Sequence, residues 1–273
     1  MAYNGKTALV TGGSRGIGSG IAIALAKEGY DLAISYSTKR DEALCTAHII
    51  EDECKRKCCV FQAELEEEDA PEELVNQAAK ALGKIDVFVN NAGVTIFDEL
   101  VSMKLESINK LVNLDFKGYI LGMQAAARHM VLSGTRGCII NITSSRGERA
   151  YVGDAVYGGI KAALNRAVQS VALELSPYGI RVNCIAPGAT KVRESGSFSE
   201  TCKRIVPLKR IGLPEDIGNA VVWLASEKAS YITGASIRID GGLILPGTPE
   251  YRPEGAEDHG WGYVQGYPKK TAK

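Results

Sequence analysis

Residues 7–18 read TALVTGGSRGIG. Thr7–Thr11 is a short apolar run of the kind that forms a buried strand. A glycine-rich turn follows and opens into a helical stretch that continues to about Glu28 and closes at Gly29. Outward from there, strand-like and helix-like segments alternate. Strands are expected at Asp31–Tyr36, Cys58–Gln62, Ile85–Asn90, Cys138–Thr143, Arg181–Ile185 and Ala235–Ile239, and helices at about 40–55, 71–82, 105–132, 156–175 and 214–225. This order implies parallel strands joined by right-handed crossovers, with helices on both faces. Runs such as VFVN (87–90) and CIINI (138–142) are apolar on both sides, as a doubly covered sheet requires. The fold class is therefore α/β: one doubly wound parallel sheet of about seven strands over residues 1–242. Residues 243–273 form an irregular extension rich in Gly, Pro and Tyr, with Trp261. A polar stretch at about 189–212 interrupts the pattern.

Composition narrows the function. Lys plus Arg and Asp plus Glu both number 32, so the chain has no broad basic face for nucleic acid. With 3 histidines and no HExxH or paired-His spacing, no metal site is expected. The 7 cysteines form no pair of CxxC motifs and are expected to be free thiols in a reducing cytoplasm, although four crowd between 45 and 59. The N-terminus lacks a signal-peptide pattern, and no apolar run is long enough to span a membrane. Glycine, at 30 of 273, exceeds the usual ~7% without any repeat, so it must serve particular backbone positions.

The turn Thr11–Gly18 has the spacing GxxxGxG and sits between a first strand and a first helix. Helix-start N–H groups are unpaired and lie at the positive end of the helix dipole, which suits a pyrophosphate. Gly12, Gly16 and Gly18 remove the Cβ atoms that would block its approach, and Ser14, Arg15 and Ile17 complete the loop. The second strand ends in Tyr36-Ser37-Thr38-Lys39-Arg40, without the carboxylate that would hold a ribose 2′-OH and repel a 2′-phosphate. Arg15 and Ser37, with Lys39 or Arg40, can pair with such a phosphate. NADP(H) is expected over NAD(H).

Tyr157 and Lys161 stand four apart at the start of a helix and so share a face. A phenol with pKa near ~10 is a poor acid–base catalyst at neutrality, and a neighbouring ammonium lowers that value by stabilising the phenolate. Ser144 and Ser145 end the fifth strand, where a hydroxyl can hydrogen-bond a substrate oxygen. Asn90-Asn91-Ala92-Gly93 ends the fourth, where the small Ala92 and Gly93 let the chain pass close to a nucleotide.

Taken together, TGGSRGIG (11–18), NNAG (90–93), Asn113 in LVNLD, ITSS (142–145), YGGIK (157–161) and NCIAPG (183–188) resemble the classical short-chain dehydrogenases/reductases, over about residues 5–242. The resemblance implies a Rossmann-type fold and hydride transfer between nicotinamide and a carbonyl or secondary alcohol. It assigns Tyr157 as general acid/base and gives Lys161 two tasks, lowering the tyrosine pKa and holding the nicotinamide ribose. It also implies Ser144 as the residue that orients the substrate oxygen, and Asn113 as support for a water-linked proton relay. Asn90 would stabilise the central sheet, Pro187 and Gly188 would lie beside the nicotinamide, and Thr190 near its carboxamide. Glu64, followed by Leu65, stands where the family often has Asp beside adenine. A homo-oligomer, most often a tetramer, is implied as well, with interfaces from the helices at 156–176 and 214–225 and the last strand.

Substrate specificity is expected from about 94–99, 146–154 and 189–212. Arg146, Glu148, Arg149, Tyr151, Lys191 and Arg193 line this rim, and its cationic excess hints at an anionic or polyhydroxylated substrate. Similar sequences include 3-oxoacyl-carrier-protein reductases, glucose 1-dehydrogenases and hydroxysteroid dehydrogenases; the long tail favours a sugar, polyol or general carbonyl. A non-catalytic nucleotide sensor on the same fold would show a broken tetrad. An extended-type epimerase would show GxxGxxG.

Overall fold

A computed structural model describes residues 5–192 and 196–245. The extension is thereby outside the described residues from 246 on, as is Arg193. In chain order the regular elements are β1 Lys6–Val10, α1 Gly16–Lys27, β2 Tyr30–Tyr36, α2 Arg40–Asp52, β3 Cys58–Gln62, α3 Ala70–Leu82, β4 Val87–Asn90, α4 Leu105–Lys110, α5 Gly118–Ser133, β5 Cys138–Ile142, α6 Ala155–Leu175, β6 Arg181–Pro187, α7 Gly196–Ile205, α8 Pro214–Ala225 and β7 Ser236–Ile239. The strands form one parallel sheet in the order β3-β2-β1-β4-β5-β6-β7. The winding direction reverses between β1 and β4, and the crevice beyond the carboxyl ends of those strands is the usual ligand position in such sheets.

Strand periodicity divides the core into two layers. Val10, Ile34, Val89, Ile140 and Ile185 face one side, where Ile21 and Leu25 of α1 and Ile217, Val221 and Leu224 of α8 cover them. Their strand neighbours Leu9, Ala33, Phe88, Ile139 and Cys184 face the other, against α3, α5 and α6. Full burial of side chains such as Leu9 and Phe88 contributes about 1.5–3 kcal/mol each.

Two departures from the expected pattern bear on the site. The long helix anticipated over 105–132 is present, but its middle, Leu111–Lys117, is π-helical, and the Gly118 N–H donates to the Asn113 carbonyl five residues back. Such wide turns are concentrated at functional sites. The polar stretch around 189–212 contains α7. Cys202 and Val206, four apart, bury one face with Ile211, and the polar residues between them hid this helical spacing.

β4 and β5 are also joined by a buried polar network. The Asn90 side chain donates to the Tyr119 carbonyl at 2.9 Å and to Asn141 Oδ1 at 3.1 Å, and the Tyr119 hydroxyl donates to the Ile142 carbonyl at 3.0 Å. Buried acceptors left unpaired cost about 1–3 kcal/mol. Asn90→Ala is accordingly expected to lower unfolding free energy by about that amount in urea denaturation. An unchanged midpoint would show that the network is not structural.

Candidate active site

The glycine-rich turn carries β1 into α1. Gly12 has φ +61°, and a Cβ there would lie 2.9 Å from the Ala92 Cα. A Cβ on Gly18 would run into the Gly12 carbonyl and the Asn91 side chain. The loop is held in this tight shape by its neighbours. Asn91 Nδ2 donates to the carbonyls of Thr11 and Gly12 at 2.8 and 3.2 Å, and Gly12 N–H donates to Ser35 Oγ at 3.1 Å. Thr11 Oγ1 in turn accepts from the N–H groups of Asn91 and Ala92 at 2.8 and 2.9 Å. Arg15 begins α1 with no side-chain cap, and the first turn contains no acid. That leaves a backbone cradle and a positive dipole end suited to an anion.

The turn opens on a cleft of about 790 Å³ beyond the carboxyl ends of the strands. Its walls include Gly12, Ser14, Arg15, Gly16, Ile17 and Gly18 from the turn, and Tyr36, Ser37 and Thr38 from the end of β2. Glu64 and Leu65 follow β3, Ala92 and Gly93 follow β4, and Tyr157 and Lys161 lie at the far end. One feature of this end of the cleft was not legible from β2 alone. Tyr36 pairs with Gln62 in the parallel register, so the residues just beyond them meet. Ser37 Oγ lies 2.9 Å from both carboxylate oxygens of Glu64. Arg15 lies 3.5 Å from Glu42. A carboxylate therefore does stand beside Ser37, supplied by the neighbouring strand.

At the other end, Tyr157 occupies the first turn of α6 with Lys161 one turn on. Lys161 Nζ is 5.5 Å from the Tyr157 ring centroid, 4.6 Å from that of Tyr119 and 2.9 Å from Asp115 Oδ2. The lysine and aspartate side chains are 3% and 1% exposed. Burial alone would drive Lys161 toward its neutral form. Tyr119, Asp115 and Tyr157 outweigh it and hold the lysine pKa above the ordinary value. Tyr119 is itself pushed up by burial, with Lys161 opposing, and stays a neutral phenol near neutrality. Asp115 is the carboxylate at ion-pair distance from that ammonium.

Ser144 follows β5 in extended conformation and is buried; its Oγ accepts from the Arg146 N–H at 3.2 Å, which leaves its own proton to donate. Ser145 is also buried and opens the short 3₁₀ turn Ser145–Gly147. That turn presses on α6: a Cβ on Gly147 would lie 2.9 Å from the Lys161 carbonyl carbon, and one on Gly158 2.9 Å from the Arg146 carbonyl oxygen. The close fit fixes Ser144 relative to the helix carrying Tyr157. Arg146 is stacked between the rings of Phe97 and Tyr151, 4.2 Å from each, and bound to Asp154 at 3.0 Å; the Phe97 ring meets Tyr157 edge-on at 5.7 Å.

Residues 12–244 match a family model described as enoyl-(acyl carrier protein) reductase. The chain belongs to the short-chain dehydrogenase/reductase family. It is 37% identical to a 3-oxoacyl-[acyl-carrier-protein] reductase of Staphylococcus epidermidis over 88% of this chain and 99% of that protein. It is 39% identical to an L-rhamnose 1-dehydrogenase (NAD(P)(+)) of Azotobacter vinelandii over 88% and 97%. A short-chain dehydrogenase of Burkholderia cenocepacia, solved in complex with NADP, superposes with TM-score 0.82 at 33% identity, covering 87% of this chain and 97% of that one. This short-chain dehydrogenase/reductase is thus an oxidoreductase acting on CH–OH or carbonyl groups with a nicotinamide cofactor.

The remaining expected residues sit around the cleft rather than in its walls. Asn90 serves the β4–β5 network. Pro187 ends β6, and Gly188 packs against the turn after β7, where a Cβ would lie 2.6 Å from the Asp240 Cβ. Thr190 Oγ1 donates to the Gly188 carbonyl at 3.2 Å. Asn113 is half-buried and lends its carbonyl to the π turn; the side chain of that turn which meets Lys161 is Asp115, two residues on. The signal for it was an acid inside the otherwise apolar run LVNLDF (111–116). Among the described residues no helix is long and apolar enough to cross a membrane, and no three His, Cys, Asp or Glu side chains converge as metal ligands would.

Gly12→Ala forces a Cβ into a left-handed backbone and onto Ala92. It is expected to weaken binding of a nicotinamide dinucleotide at least about tenfold in a fluorescence titration. Wild-type affinity would mean that this turn is not the phosphate cradle.

Proposed function

We propose that the protein is an NADP(H)-dependent reductase or dehydrogenase of a neutral ketone, sugar or polyol, with Tyr157 as general acid/base. The observation that carries this reading is Tyr157, beside a buried ammonium, at the end of a cleft that begins in an uncapped helix N-terminus. In the reduction direction Tyr157 Oη passes its proton to the substrate oxygen. Lys161 stabilises the phenolate that remains and holds ribose hydroxyls, and Ser144 donates a hydrogen bond to the same substrate oxygen. When bound, the nicotinamide supplies or takes up the hydride. The turn 12–18 would hold the pyrophosphate and residues 36–38 with Glu64 and Leu65 the adenosine; Ala92 and Gly93 would pass along the nucleotide, and Pro187, Gly188 and Thr190 would lie near the carboxamide. Asn113 is retained as a contributor to the proton relay through the turn it shapes.

Support for a neutral substrate comes from the rim. Arg146 is committed to Asp154 and Arg238 to Glu148, at 3.0 and 2.7 Å, so these cations are balanced within the protein. The resemblance to an L-rhamnose dehydrogenase points the same way. The second reading, a 3-oxoacyl-carrier-protein reductase, is favoured by the Staphylococcus relative. Support for NADP(H) comes from the absence of an acid at the end of β2 and from Arg15, Lys39 and Arg40 nearby; Glu64 works against it. Seven free thiols suit a cytoplasmic protein. Exposed Leu173 on α6 and Trp223 on α8 suit a homo-oligomer, most simply a tetramer.

Tyr157→Phe is expected to reduce kcat by about 10³-fold or more while leaving the NADPH dissociation constant within about threefold. Near-normal turnover would overturn the mechanism. A panel of sugars, polyols, small ketones, steroids and 3-oxoacyl thioesters, run with both cofactors, tests the substrate class; a clear preference for the acyl thioester would select the second reading. Catalytic efficiency with NADPH is expected to exceed that with NADH. Glu64→Gln is expected to widen the gap by about threefold, as removal of one exposed charge should. NADH equal to or better than NADPH in the unaltered protein would reject the preference.

A further inference from the structure

Asp115 is more than a partner for a lysine. Its carboxylate joins three parts of the chain: Oδ1 accepts from the Val94 N–H at 2.9 Å, and Oδ2 lies 2.9 Å from Lys161 Nζ. Among the described residues Oδ2 has no hydrogen-bond partner, and its contact with the ammonium is an ion pair. The loop after β4 has to come close for this to happen, since a Cβ on Gly93 would lie 2.9 Å from the same Oδ2. The π turn 111–117 presents the carboxylate, and α6 presents the ammonium. We propose that Asp115 is a positioning residue that holds Lys161 both charged and stationary beside Tyr157, and that locks the loop after β4 to the catalytic helix. This rests on the proposed roles of Tyr157 and Lys161.

The charge of this carboxylate matters as well as its shape. A carboxylate offers acceptors to both donors, whereas an asparagine of the same shape offers one oxygen and turns an NH₂ toward the other donor. The groups around Lys161 come from four elements. Besides Asp115 they are Tyr119 from α5, Tyr157 from α6 itself and Cys184 from β6. Burial pushes the Cys184 thiol up to about 12, with Lys161 opposing, so near neutrality it is an uncharged thiol. Tyr119 is neutral there too. With Asp115 neutralised, the ammonium would retain its desolvation without a counter-charge and would give up its proton at much lower pH.

The test compares Asp115→Asn with the unaltered enzyme in two measurements. The first is the pH profile of kcat. The raised lysine pKa keeps the ammonium intact through the alkaline range, so the alkaline limb is expected to fall by roughly 2 pH units or more in the variant, the direction of an unpaired buried lysine. A kcat reduced by the same factor at every pH, or an unchanged profile, would overturn the proposal. The second needs no turnover: thermal melting of Asp115→Asn, Lys161→Met and the double variant. The two single losses are expected to be strongly non-additive, with the double variant melting above Asp115→Asn. If Asp115→Asn fails to fold, folding of the double variant supports the pairing, and failure of both overturns it. Tyr157→Phe tests the underlying reading separately. If it is inactive while Asp115→Asn matches the unaltered enzyme, the mechanism stands and this inference falls.

Discussion

Lys161 carries a positive charge in a place that water barely reaches, and the site is organised around that constraint. Desolvation favours the neutral amine, so an ammonium persists there only with a counter-charge at contact distance. Asp115 supplies it at 2.9 Å, and in the proposed mechanism the ammonium stabilises the phenolate of the tyrosine one turn away. Tyr157 and Lys161 come from α6, Asp115 from the π turn, and the loop after β4 is tied to the same carboxylate, so the proposed chemistry depends on how tightly these three segments are held together. Gly93, Gly147 and Gly158 show how little room is left between them.

The sheet provides the frame for these contacts. Because every strand runs the same way, the segments leaving β1, β2, β3, β4 and β5 emerge along one edge. The glycine-rich turn, Ser37, Glu64, Asn91 and Ser144 therefore lie along that edge although far apart in sequence. The reversal of winding between β1 and β4 opens the crevice along which an extended dinucleotide fits. Thr11, Asn91 and Ser35 stitch the glycine-rich turn to the adjacent strand ends.

Much of this was legible in the chain. Alternating β-rich and helical runs reveal the parallel sheet, because helices and strands impose different periods on the same apolar residues. The glycine turn and the Tyr157–Lys161 pair are local patterns whose meaning depends only on the element carrying them. Three features were not legible, for a common reason. Asp115 reaches Lys161 through a π turn, which breaks the helical period used to decide which residues share a face. Glu64 reaches Ser37 through strand register, which no local pattern specifies. Arg146 looked like a free cation on the rim until Asp154, eight residues away, turned back to it. All three are charges, whose partners are set by tertiary structure, whereas apolar period and glycine placement are set locally.

In the proposed function the cleft runs from a phosphate cradle to a proton-transfer group and is filled by one nicotinamide dinucleotide. A crystal structure of the protein grown with NADP⁺ tests it most directly. The pyrophosphate is expected on the N–H groups of residues 14–18, the adenine ribose beside Ser37, and the nicotinamide ribose within hydrogen-bonding distance of Lys161 Nζ, with Tyr157 facing the nicotinamide ring. A dinucleotide bound with its nicotinamide end away from Tyr157 and Lys161, or bound outside this cleft, would contradict the account.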